Sequence, residues 1–175
     1  MENVRVVIIL GSDSDLKIAA DATATLEQFG IPNYITIASA HRTPARVVEL
    51  IQKYETSGAK VFIAIAGQAA HLPGVIASYT TLPVIGVPIK SAAVEGLDAL
   101  LSIVQMPAGI PVATVGINNA KNAALLAVSI LAVDDKKLAI KLADYRKKIG
   151  KQVEEKAINL DKLGYVKYIK SQVKK

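Results

Sequence analysis

Along the chain, short runs of consecutive apolar residues alternate with segments whose apolar positions recur every three or four residues. Runs of the first kind suit strands buried on both faces, since a half-exposed strand would alternate apolar with polar. Five occur, at Val4–Leu10, Tyr34–Ser39, Val61–Ala66, Pro83–Ile89 and Pro111–Ile117, with Pro88 predicting an irregular end to the fourth. A helical pattern from about Asp15 to Phe29 stops at Gly30 and Pro32. Thr43 stands before Pro44 as an N-cap before a first-turn proline, and Val47, Val48, Leu50 and Ile51 mark a helix that runs to about Ser57 and Gly58. A loop at Gly67–Gly74 precedes a short helix. Leu97, Leu100, Leu101 and Val104 form a helical stripe that ends before Pro107, and an Ala-rich helix with little charge spans Asn118–Val133.

Strand and helix therefore alternate five times, and every strand is largely apolar. That pattern predicts an α/β fold in which helices cover both faces of a parallel sheet. Right-handed crossovers favour a three-layer α/β/α, doubly wound sheet of flavodoxin-like strand order 2-1-3-4-5. Beyond it, Leu138, Leu142, Tyr145, Ile149 and Val153 recur at spacings of four, three, four and four, the mark of an amphipathic helix in a C-terminal helical extension. We expect a single nucleotide-binding α/β domain over residues 1–155 and a basic helical tail over residues 156–175.

Composition narrows the chemistry. The 175 residues include no Cys and only two His, which removes thiol nucleophiles, Cys-ligated zinc and His-rich metal sites. The net charge of +6 is unevenly distributed: residues 1–133 carry 8 Lys/Arg against 9 Asp/Glu, and residues 134–175 carry 13 against 6. In the basic segment Asp144, Glu154, Glu155 and Asp161 interrupt the lysines, which fits a solvated or subunit-packing helix better than a nucleic-acid footprint. The run Val6–Leu10 is too short for a signal peptide, and Ala123–Val133 falls short of the roughly 20 residues that cross a bilayer. We expect a soluble, cytoplasmic protein that binds neither nucleic acid nor membrane.

In a sheet of this order, ligands bind beyond the carboxyl ends of the strands where the order reverses. The first three strand-to-helix loops meet there, and they read Gly11–Asp15, Ser39–Pro44 and Ala66–Gly74. Both histidines of the chain fall in these loops, as does Arg42. The first loop offers a glycine, Ser12 and Ser14 before a helix N-terminus, a setting that favours an anion. Asp13 and Asp15 oppose a bare phosphate cradle, and Asp15 can either accept ribose hydroxyls or cap the helix. In the second loop Arg42 can pair bidentately with phosphate or carboxylate, and His41 can exchange protons near neutral pH. Both could equally be solvated surface groups. In the third loop His71 can contact a ligand or hydrogen-bond its own loop. The residues point to metal-free acid–base chemistry on a small phosphorylated or carboxylated molecule, and name no substrate.

Taken together, Gly11-Ser-Asp-Ser-Asp15, Ser39-Ala-His-Arg-Thr-Pro44 and Ala69-Ala-His-Leu-Pro-Gly74 resemble the GSxSD, SAHRTP and AAHLPG motifs of the PurE family of purine biosynthesis. Ser102–Pro107, Gly109–Pro111 and Asn122–Ala127 fit as well, so the resemblance covers residues 4 to 150 or so. One departure is Gln68, where the family usually has a second glycine. The resemblance implies a mutase that moves a carboxylate from the exocyclic nitrogen to C4 of an aminoimidazole ribonucleotide. A sibling branch carboxylates the same ring with free CO2 and carries a different third loop, so His71-Leu72-Pro73 implies the mutase.

By the same resemblance, His41 is the catalytic acid and base, while Ser12, Asp15 and Arg42 hold the ribose phosphate. Ser14, Ser39, Gly67, Ala70, His71 and Leu72 line the base and carboxylate end. No cofactor is required. The family forms octamers with active sites between subunits, and the small residues Ala120, Ala123, Ala124 and Ala127 would be hard for a small monomer to cover. The alternatives on the same fold are the CO2-dependent carboxylase and a non-catalytic nucleotide-binding module.

Overall fold

A computed structural model describes residues 3–172 of the chain. Five parallel strands lie in the order β2-β1-β3-β4-β5, as the alternation of apolar runs predicts. They are β1 (Val6–Leu10), β2 (Asn33–Ile37), β3 (Val61–Gly67), β4 (Val84–Ile89) and β5 (Ala113–Thr114). The helices between them are α1 (Leu16–Phe29), α2 (Pro44–Thr56), α3 (Leu72–Tyr79) and α4 (Leu97–Val104), and α5 (Ala120–Leu131) follows β5. Every residue of β1 is fully buried, as a β-branched strand with neighbours on both edges and helices on both faces must be.

One sheet face buries Val7, Ile9, Phe62 and Ala64 with Val47, Leu50 and Ile51 of α2, Leu72 and Ile76 of α3, and Ala99 and Ile103 of α4. On the opposite face α1 packs against α5. β2 is an outer strand and is buried less than the central ones, which is why it mixes polar with apolar positions. Its free edge is engaged by Arg46, whose Nε donates to the Ile37 carbonyl at 3.1 Å and whose Nη2 donates to Thr36 Oγ1 at 3.2 Å.

Several expectations need correcting. β5 forms a ladder over two residues instead of seven, although Val115 N still donates to the Gly86 carbonyl and Asn118 N to the Pro88 carbonyl. Pro88 accordingly lies inside β4, paired with Ala66. Its missing N–H faces the β5 side, where the neighbouring ladder has already ended. α3 starts at Leu72, so Pro73 and Gly74 belong to its first turn and not to the loop.

On α4 the stripe marked by the spacing is the outer one: Ala99 and Ile103 are buried, whereas Leu97, Leu101 and Val104 are 52%, 44% and 49% exposed. Gly86 of β4 explains the close approach of the inner face, because a Cβ there would lie 2.4 Å from Ile103 Cγ2. The alanines of α5 need no second subunit to cover them: Ala120, Ala123, Ala124 and Ala127 are fully buried within the chain.

The chain divides into two compact units, one ending at Leu131 and one starting at Ala132. The second unit holds α6 (Lys136–Leu163) and α7 (Tyr165–Gln172). Asp135 Oδ1 accepts the Leu138 N–H and caps α6, and the helix breaks only at Gly164, with φ 71°. The boundary expected after residue 155 lies inside this helix. Of its apolar stripe, Leu138 and Leu142 are buried, while Ile149 and Val153 are exposed. Among the described residues, no helix is long and apolar enough to cross a membrane.

Candidate active site

A cleft of about 620 Å³ opens at the carboxyl ends of β1, β3 and β4 and is lined by the loops that follow them and β2. All ten residues singled out in the sequence line it: Ser12, Ser14, Asp15, Ser39, His41, Arg42, Gly67, Ala70, His71 and Leu72. Parallel register brings these loops to one level, with Leu10 opposite both Ile37 and Ile65, and Gly67 opposite Ile89. Helices α1, α2 and α3 begin at this same end, so the positive poles of their dipoles are directed at the cleft.

The first loop turns through a short 3-10 segment, Asp13–Asp15. Ser12 accepts the Ser14 N–H, and Ser14 Oγ donates to Asp15 Oδ1 at 2.9 Å. Asp15 stands at the N-cap of α1 yet makes no capping hydrogen bond, so its carboxylate is not consumed by the helix. It is 7% exposed, and burial pushes its pKa up, an effect opposed by the Ser14 hydroxyl and reinforced by Asp13.

The second loop is closed on itself. Thr43 does not cap α2 with its side chain, as the sequence suggests it should. Instead its hydroxyl accepts the Ser39 N–H at 2.9 Å and donates to the Ser39 carbonyl at 3.1 Å, and the Thr43 N–H bonds the same carbonyl. Ser39 Oγ accepts the Arg42 N–H at 3.2 Å. Arg42 Nη2 reaches over to the Gly11 carbonyl at 3.3 Å, which fixes the guanidinium above the first loop.

The two histidines, 30 residues apart in sequence, meet directly. His41 Nε2 and His71 Nδ1 are 2.9 Å apart, with the rings edge to face at 4.7 Å between centroids. His71 thus bonds a neighbouring loop, a partner that the sequence did not point to. Ala70 and Leu72 on either side are buried, which anchors the loop and leaves His71 projecting. Gln68 adopts φ 54°, the left-handed region in which glycine is at ease, so a glycine at this position would meet a backbone demand. Gly67 is needed for space, since a Cβ there would come within 3.3 Å of Ile89 Cβ.

Reasoning from the point of strand reversal overlooked the fourth loop. Ile89, Lys90, Ser91 and Ala92 also line the cleft, because β4 lies beside β3 and ends level with it. The signal was present in the predicted strand order, which already placed this loop next to the third. Among the described residues, no group of three or more His, Cys, Asp or Glu side chains is placed to hold a metal ion.

Known proteins share this arrangement. The family model described as AIR carboxylase matches residues 5–152. An N5-carboxyaminoimidazole ribonucleotide mutase of Pyrococcus horikoshii is 58% identical over 168 residues, covering 96% of this chain and 95% of that protein. A phosphoribosylaminoimidazole carboxylase of Candida albicans is 50% identical over 99% of this chain, which corresponds to 31% of the larger protein. The crystal structure of Treponema denticola PurE superposes with a TM-score of 0.82 at 34% identity, covering 91% of this chain and 98% of the other. With the three loop motifs assembled in one cleft on the same fold, the chain belongs to the AIR carboxylase, or PurE, family.

Proposed function

We propose that the protein is an N5-carboxyaminoimidazole ribonucleotide mutase, with His41 moving the proton. The observation that carries this reading is the His41–His71 hydrogen bond, set in the cleft that also presents Ser12, Asp15 and Arg42. The name and near-equal length of the Pyrococcus relative support it.

In this mechanism Arg42 and the first loop hold the ribose phosphate, which places the imidazole ring of the substrate beside His41. Protonation of the carbamate nitrogen by His41 breaks its N–C bond and releases CO2, with the bonding pair returning to nitrogen. The cleft, with the substrate seated in it, keeps the CO2 beside C4. C4 attacks it, the new C–C bond forms, and the now neutral His41 removes the C4 proton to restore the aromatic ring. The group that gave the proton regains it, so no outside acid or base is consumed. His71, with Nδ1 against His41, holds the imidazole orientation through this exchange.

We further propose that the protein acts in the cytoplasm and assembles as an octamer, with the exposed Leu97, Leu101 and Val104 of α4 among the residues covered by neighbouring copies. The Candida carboxylase supports a second reading, direct carboxylation of the uncarboxylated ribonucleotide. One assay separates the readings: the C-carboxylated product is followed in the ultraviolet from each substrate, with and without bicarbonate. Conversion of the N-carboxylated substrate without bicarbonate is the expected result. Strict bicarbonate dependence with the uncarboxylated ribonucleotide would give the carboxylase, and binding without turnover would give a nucleotide-binding module.

A further inference from the structure

We propose that Lys90 binds the migrating carboxylate of the substrate, exchanging Glu95 for it. This inference rests on the mutase reading. The N-carboxylated ribonucleotide carries anionic groups at both ends, and the residues that line the cleft include two cationic ones, Arg42 and Lys90. Arg42 is fixed over the first loop by its bond to Gly11, at the β2–β1 end of the sheet. Lys90 follows the last residue of β4, which pairs with Gly67 at the end of β3. Two strand spacings separate β1 from β4, about 10 Å. The histidine pair comes from the loops after β2 and β3, both on the β1 side of Lys90. A ribonucleotide bound by its phosphate at Arg42, with its ring at the imidazoles, thus directs its carboxylate to Lys90.

The surrounding loop is built to fix the backbone of Lys90 while leaving its ammonium exchangeable. The Lys90 N–H donates to Asn118 Oδ1 at 2.9 Å, and Asn118, at φ 56°, is itself tied through its N–H to the Pro88 carbonyl at 2.8 Å. Ser91 Oγ donates to the Asp98 carboxylate at 3.1 Å. Glu95 and Gly96 both lie at positive φ, and a Cβ on Gly96 would come 2.9 Å from Lys90 Cα, so this turn packs directly on Lys90. The turn delivers the Glu95 carboxylate to the Lys90 ammonium. Both side chains are more than half exposed, and ion pairs of that kind contribute little, so a substrate carboxylate can displace Glu95 at small cost. Glu95 then acts as a placeholder that holds the ammonium until substrate arrives.

The test compares wild type, Lys90→Met, Lys90→Arg and Glu95→Gln, using KM and kcat for the N-carboxylated ribonucleotide and Kd for the uncarboxylated one. Lys90→Met is expected to raise KM at least tenfold and to leave Kd for the uncarboxylated ligand within twofold. Lys90→Arg should restore most of the loss. Glu95→Gln should leave KM unchanged or lower it. Equal weakening of both ligands, or wild-type KM in Lys90→Met, overturns the role of Lys90 and leaves the mutase reading intact. A wild-type protein that does not convert the N-carboxylated substrate overturns both.

Discussion

His41 Nε2 and His71 Nδ1 share one hydrogen bond of 2.9 Å, so the two rings cannot both present a proton along that line. When His41 carries a proton on Nε2, His71 must accept it at Nδ1 and remain neutral there. In the proposed mechanism the pair divides the labour, with one imidazole exchanging the proton and the other fixing its ring. Replacing His41 by Asn keeps a polar side chain, one too short to reach His71 as Nε2 does, and removes the exchange. Turnover of the N-carboxylated ribonucleotide should fall by roughly 10²- to 10⁴-fold, the usual contribution of a positioned acid–base group. Calorimetric affinity for the ribonucleotide should stay within about threefold. A His41→Asn protein with near-normal kcat would remove His41 from the mechanism.

Arg42→Ala should act on binding. Its guanidinium bonds the Gly11 carbonyl, a neutral group that a phosphate readily outcompetes. Loss of a charge-assisted contact of about 1.5–3 kcal/mol corresponds to roughly 10- to 100-fold weaker affinity for the phosphorylated ligand. The dephosphorylated nucleoside should bind wild type and variant alike. If the variant loses affinity for both equally, the phosphate is held elsewhere.

Asp15 links the site to stability. Burial raises its pKa in the folded protein, so across the window above the ordinary carboxylate value the folded state binds the proton more strongly than the unfolded chain. Stability therefore falls as pH rises through that window, and the full penalty persists at neutral pH. Asp15→Asn removes the charge, which should raise the melting temperature at pH 7. The advantage should shrink as the pH is lowered into the carboxylate range, and substrate binding should be lost. Thermal scans from pH 4 to pH 8 test the sign: an advantage that grows on acidification contradicts it.

Gln68 lines the cleft, and its left-handed backbone makes an effect on stability expected as well. A side chain in the left-handed region costs about 1–2 kcal/mol, and glycine gives back roughly 0.5–1 of this through the freedom it gains when unfolded. Gln68→Gly should leave a net gain of up to about 1.5 kcal/mol, at about 2–4 °C in melting temperature per kcal/mol for a chain of this size. A clear drop would show that the glutamine side chain makes contacts that outweigh its backbone.

Much of this architecture is legible in the residues. The runs that became β1, β3 and β4 are apolar throughout because helices cover both faces, and that property sets their parallel order. The GSxSD, SAHRTP and AAHLPG segments follow β1, β2 and β3, whose carboxyl ends lie side by side, which is why every chosen site residue lines one cleft. What stayed hidden depends on tertiary contact. On α4, leucines outnumber the buried residues on the wrong side, and only the closeness permitted by Gly86 shows that Ala99 and Ile103 face inward. On α5, composition could not say that the alanines meet α1 within the same chain. Lys90 escaped because its chemistry comes from a strand two places away from the point of reversal.

The double grip of Thr43 on Ser39 has a mechanical consequence. With the amide and carbonyl of Ser39 both engaged, and its hydroxyl holding the Arg42 amide, the tip that bears His41 and Arg42 is a single jaw. Neither side chain can be re-aimed at the backbone without carrying the other along. Redesigning this scaffold for a substrate with a longer or shorter reach between its anionic end and its reacting carbon would have to proceed from the opposite wall of the cleft.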